Sequence, residues 1–159
     1  IPPFTDNQNN WAEQSELLGN PALADVDKRD IQFAGKHMRE VLKIRNSSPL
    51  FRLRTGQDVQ ERVEFNNTGP DQVPGLVVMS LRGEQDVEIV TLFNASPEAQ
   101  WFTLETVEDR GFNLHPVQQR SHDKIVRQSS YDKESHAFYV PARTTAVFVA
   151  EEDGKNADD

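Results

Sequence analysis

The side chains able to do chemistry here are four histidines, 26 carboxylates and a small set of aromatics, with no cysteine among them. Without thiols there is neither a disulfide nor a thiolate metal site. His37, His115, His122 and His136 share no ligand spacing, and no HExxH is present. In "SHDK", His122 stands beside Asp123. Neighbours on a strand point to opposite faces, so the pair reads as plain surface. "GEQDVE", from Gly83 to Glu88, lacks the spaced oxygen ligands of an EF-hand and reads as a loop between strands. "RTGQD", from Arg54 to Asp58, reads as a turn. No GxSxG, P-loop or Rossmann glycine set occurs. A glycosidase needs two facing carboxylates about 5–9 Å apart, yet the acids here lie in polar loops or on the wet side of strands. No catalytic, cofactor-binding or metal-ligating residue is therefore assigned to this chain. Trp11, Trp101 and Tyr139 have rings that could stack on sugars; the competing reading packs each tryptophan on its own element. The sequons at Asn46 and Asn66 matter only in a glycosylating host.

The elements that must position these residues change character along the chain. Asn9 or Asn10 caps a short helix over Trp11 to Leu18, stopped by Gly19 and Pro21. Asp25 or Asp27 caps a second, longer helix. Its apolar residues Ile31, Ala34, Met38, Val41 and Leu42 recur every three or four positions, and Phe33 and Ile44 widen the arc. A helix apolar on more than one side needs partners on more than one side. Pro49 ends it. After Phe51 the period shortens: "VQERVEF", "GLVVMSL", "VEIVTLFN", "QWFTL", "FNLHPVQ", "KIVRQS", "AFYVPA" and "TTAVFVA" are short runs bounded by turn residues. Such spacing predicts an antiparallel β-sandwich of seven or eight strands preceded by two helices, with "LVVM" and "IVTLF" central.

Between the first two of these strands lies "NNTGPDQVPG". Gly69 and Gly75 permit positive φ, Pro70 and Pro74 fix it, and Asn66, Asn67 and Asp71 can bond to backbone. The turn reads as scaffold, holding no base, nucleophile or metal set. The net charge of -9 speaks against nucleic acid. No run approaches the roughly 20 apolar residues of a membrane helix. Ile1 is not an initiator methionine, so the gene product is expected to begin upstream. The acidic tail "EEDGKNADD" is expected to fray.

Six segments in this order, "IPPFTDNQNNW", "LKIRNSSPLFRL", "RVEFNNTGPDQVPGLVVMS", "VTLFNASPE", "FNLHPVQQ" and "VPARTTAVFV", resemble the C-terminal end of pullulanase-type starch-debranching enzymes. These are alpha-amylase-like glycoside hydrolases that cut alpha-1,6 branch points. The resemblance implies that residues 1–50 end a TIM-type catalytic barrel, 51–150 form a C-terminal β-sandwich and 151–159 a tail. It implies that the two helices belong to the barrel's end. The nucleophile Asp, acid/base Glu and stabilising Asp of a retaining mechanism would then lie upstream of Ile1, at the ends of barrel strands.

The function implied is that of a non-catalytic part bracing the barrel, in an enzyme acting on pullulan, starch or glycogen dextrins. Its partners would be that barrel, alpha-glucan through the parent, and a second copy through the exposed helix face. No cofactor is expected on this chain, and the family alone implies an extracellular or cell-surface location. Two alternatives stand beside this reading: a carbohydrate-binding module for alpha-glucans using Trp101, Trp11 or Tyr139, and an immunoglobulin-like interaction domain.

Overall fold

The structure, a computed structural model, describes residues 8–84, 87–107 and 110–151. The opening loop before Gln8 and the tail after Glu151 lie outside them. The chain forms two compact units, residues 1–36 and 37–159.

In the first unit, a single 3-10 turn leads into helix α1 (Trp11–Gly19). Asn10 stands at the N-cap without a side-chain hydrogen bond, contrary to the expected capping role. Asn20 caps the four-residue α2 (Pro21–Ala24) by accepting from the Ala22 amide. Helix α3 (Lys28–Ser47) starts as expected from Asp27, whose Oδ1 accepts from the amides of Arg29 at 2.6 Å and Asp30 at 3.3 Å. Ile31, Phe33, Met38, Val41 and Leu42 are exposed on α3, and only Ile44 is buried.

The described residues of the second unit, from His37, form eight strands in two antiparallel sheets. The five-stranded sheet has the order β1-β2-β3-β8-β5, with β1 at Val63–Phe65, β2 at Leu76–Arg82, β3 at Val87–Asn94, β8 at Thr144–Ala150 and β5 at Phe112–Leu114. The three-stranded sheet has the order β4-β7-β6, with β4 at Gln100–Thr103, β7 at Ala137–Val140 and β6 at Ser130–Asp132. Period-two alternation sorts the side chains. Leu76, Val78, Val90, Leu92, Ala146 and Phe148 meet Phe138 and Val140 of the other sheet in the main core. The Phe138 ring lies 5.0 Å from Phe148, 5.5 Å from Phe112 and 4.5 Å from Tyr131. The opposite face of the large sheet carries Leu81, Ile89 and Val147, covered by Ile44 of α3 and Leu50 of the following 3-10 turn.

Three expected strands take other forms. "RTGQDVQERVEF" is not a turn and a strand: it is helix α4 (Gly56–Arg62) running into the three-residue β1. Thr55 decides it, because its Oγ1 accepts from the Asp58 amide at 3.0 Å and donates to Asp58 Oδ2 at 2.6 Å. Val59 and Val63 are spaced as a helix, while Val63 and Phe65 are spaced as a strand, so the segment satisfies both periods in turn. "KIVRQS" is a 3-10 turn, not a strand: Val126 is buried and its neighbour Ile125 exposed. Asp123 starts that turn by accepting from the Ile125 amide at 2.8 Å. "FNLHPVQ" is a strand only to Leu114, where Pro116 opens the short helix α5 (Pro116–Gln119).

The long turn before β2 is held chiefly by Asn67. Its Nδ2 donates to the Val73 and Leu76 carbonyls at 2.9 and 2.6 Å, and its Oδ1 accepts from the Val73 amide at 2.8 Å. Gly69 and Gly75 take φ of 89° and 76°, where a side chain would strain the backbone.

Candidate functional site

Among the described residues, no three His, Asp or Glu side chains could share a metal ion. No described Asp or Glu is fully buried either. Polar groups of the sequence serve as ties instead. Neither His122 nor Asp123 lies on a strand. The His122 ring meets Glu40 rather than Asp123, with Nδ1 3.1 Å from Glu40 Oε1. Ser121 Oγ donates to Glu40 Oε2 at 2.6 Å and the His122 amide to Oε1 at 3.2 Å. Burial pushes the Glu40 carboxyl up, but these hydrogen bonds outweigh it and hold the acid below its usual range.

His115, at the start of α5, is buried and accepts from the Val117 amide through Nδ1 at 3.2 Å. Ser47 Oγ lies 3.0 Å from Nε2 and donates its own proton to the Ile44 carbonyl at 2.7 Å. The ring must therefore be the neutral Nε2–H tautomer, and its burial lowers its pKa. Gln118 reaches from α5 to β8, donating to the Thr145 carbonyl at 2.8 Å and accepting from the Val147 amide at 2.7 Å. Asn94 likewise closes the end of the sandwich, donating to the Glu98 and Pro141 carbonyls at 2.8 and 2.9 Å. None of these buried polar roles was visible as a motif; "VTLFNASPE" and "FNLHPVQQ" carried them as unexplained polar residues in apolar runs.

Two surfaces present unsatisfied chemistry. The first is an apolar groove of about 180 Å³ between the end of α3 and the outer face of the large sheet. Val41, Phe51, Met79, Phe93 and Val147 line it. The register continues the apolar face beyond the groove, setting Val77 beside Phe93 and Phe65 beside Met79. Val77, Phe65 and Phe93 are exposed, Phe93 by 39%. In the groove lies Thr91, 3% exposed, whose buried Oγ1 has no hydrogen-bond partner among the described residues.

The second surface is on the small sheet. Trp101 of β4 pairs with Tyr139 of β7, which pairs with Ser130 of β6. Phe102, Phe138 and Tyr131 alternate with them and face the core, so this row points outward. Trp101 is 56% exposed. Its ring centroid lies 4.9 Å from that of Tyr139, with the planes 46° apart. The next row holds Thr103, Ala137 and Asp132. Of the three aromatics able to stack on sugars, the fold brings together Trp101 and Tyr139. Trp11 is half-buried and belongs to the other unit.

The profile of a family described as "Alpha-1,6-glucosidases, pullulanase-type, C-terminal" matches residues 1–151. The chain is 40% identical over 166 residues to pullulanase 1, chloroplastic, of Arabidopsis thaliana, covering 97% of this chain and 17% of that protein. It is 28% identical over 160 residues to a pullulanase of Klebsiella pneumoniae, covering 92% of this chain and 14% of that one. The crystal structure of Klebsiella pneumoniae pullulanase complexed with maltotriose superposes with a TM-score of 0.75 at 25% identity, over 97% of this chain and 15% of that chain. The chain thus spans less than a fifth of the length of these relatives.

Proposed function

Because this chain belongs to the C-terminal family of pullulanase-type alpha-1,6-glucosidases, we propose that it is the non-catalytic end of a debranching enzyme and braces that enzyme's catalytic barrel. Residues 1–50 are assigned to the end of the barrel and 51–150 to the sandwich. The catalytic carboxylates are assigned to the barrel upstream, and pullulan, starch or glycogen dextrins to the whole enzyme as substrates. The maltotriose complex of the Klebsiella relative supports that class of ligand.

The observation that carries the bracing role is the apolar groove with Thr91 inside it. Val41, Phe65, Val77 and Phe93 stay in water on one continuous face. Covering such a face gains about 25 cal/mol per Å² of apolar area. A buried hydroxyl without a partner costs about 1–3 kcal/mol, which a hydrogen-bonding group on the docked surface recovers. In the chain by itself, the same face is open to a second copy.

The test is the full-length enzyme carrying Val41→Asp and Phe93→Asp. Both residues are exposed in this chain, so the sandwich itself tolerates them. Melting of the whole enzyme should fall by about 1 °C or more, with faster loss of pullulan hydrolysis on warming. An enzyme with unchanged melting and unchanged activity would sink the bracing role. An extracellular or cell-surface location is part of the same proposal. The Arabidopsis relative is named as chloroplastic, so fractionation of the native source separates export from an organelle.

A further inference from the structure

We propose that the outward row of the small sheet, Trp101 and Tyr139 with their polar neighbours, is an alpha-glucan binding platform separate from any catalytic cleft. The proposal takes its ligand class from the reading above and everything else from geometry. A single exposed tryptophan on a protein surface means little. Here the exposed indole is braced by a second, tilted ring, on a sheet whose other face is the main core. The strands hold both rings in place through paired backbone, since Trp101 and Tyr139 are register partners. Little side-chain freedom is lost when a ligand lands on rings already packed together.

The chemistry fits a sugar polymer. One face of a pyranose is a patch of C–H groups that packs on an aromatic face, while its rim of hydroxyls needs hydrogen-bond partners. Around the rings stand Ser130, Thr103 and Asp132, with the small Ala137 between the last two. The hydroxyls of Ser130 and Thr103 both donate to and accept from sugar hydroxyls, and the Asp132 carboxylate accepts from them. The net charge of -9 disfavours polyanions but is indifferent to a neutral polymer. The 46° between the ring planes selects further. An alpha-1,4-linked chain curls, so successive glucose units turn their faces through an angle. A beta-1,4-linked chain is a flat ribbon and asks for coplanar rings. The platform also lies on the opposite side of the sandwich from the apolar groove, so a barrel docked on the groove leaves it open.

The experiment uses the full-length enzyme in native gels containing amylopectin, with hydroxyethyl cellulose gels as the beta-linked comparison. Trp101→Ala, Tyr139→Ala and Trp101→Phe are compared with the parent. Hydrolysis of a short branched oligosaccharide, too small to reach the platform and the cleft together, is followed in parallel. The alanine variants should bind amylopectin about threefold to tenfold more weakly, as expected for losing one ring contact. Trp101→Phe should keep most of the retardation, and kcat/KM on the short substrate should not move. Equal retardation of parent and both alanine variants overturns the platform, as does equal retardation of the parent in the cellulose gels. Failure to cleave the short substrate would instead overturn the assignment of the parent enzyme, with the retardation still reporting on the platform. Retardation that depends on Trp101 in neither gel, together with a Trp101-dependent complex with another protein, would mean that the rings form a protein interface and overturns the proposal.

Discussion

His115 shows how one buried side chain can make stability depend on pH. Both ring nitrogens are used in the neutral form, one accepting from Val117 and one donating to Ser47. Burial holds its folded pKa below the ordinary 6.5. The unfolded chain then binds a proton that the folded chain refuses, so stability rises with pH in that window. The contribution is complete above pH 6.5 and is lost as the pH falls from 6.5 toward the folded value. Urea midpoints should therefore drop between pH 7.5 and 5.5, and His115→Gln should flatten that slope while lowering stability at pH 7.5. A variant with the parent's slope would show that another group is responsible.

At the scale of elements, the tie between α3 and the turn after α5 rests on Glu40. The acid is only 13% exposed and accepts from Ser121, the His122 amide and the His122 ring. Glu40→Ala leaves those donors without their acceptor, and should cost about 1–3 kcal/mol in denaturant unfolding at pH 7. Because the folded pKa is lowered, the parent should lose this stabilisation on acidification below about pH 4.5, where the variant has none to lose. A cost under 0.5 kcal/mol, the usual range for an isolated surface change, would mean that Ile44 and the Ser47–His115 contact hold α3 without Glu40. Helix α4 belongs to the same scale. Its segment carries both a helical and a strand period, and the local hydrogen bonds of Thr55 select the helix. A period read by apolar spacing alone is blind to that cap.

For the molecule as a whole, the sandwich is one cooperative body because the same aromatic cluster serves both sheets. Phe138 is fully buried and touches rings from β5, β6 and β8. Phe138→Ala should cost about 3–5 kcal/mol. Trp101→Ala, on the neighbouring strand and facing outward, should cost less than about 1 kcal/mol, the loss of one ring contact. Unfolding curves that rank the two in the reverse order would mean that the small sheet is not packed as described. The two faces of the body thus differ in kind: one apolar and incomplete, the other aromatic with a polar rim.

The near-continuous apolar runs "LVVM" and "IVTLF" were enough to place β2 and β3 inside the large sheet, because a short strand covered on both faces has no polar side to show. The run of short strands foretold the sandwich, and the resemblance of six ordered segments foretold the family. What tertiary structure alone decided involves partners far apart in the chain. Ser47 and His115 are 68 residues apart, and Glu40 and His122 are 82. Trp101 and Tyr139 become neighbours only through the pairing of β4 with β7. No local period encodes such meetings. They follow from which sheet each strand joins, and that is settled by packing the whole core at once.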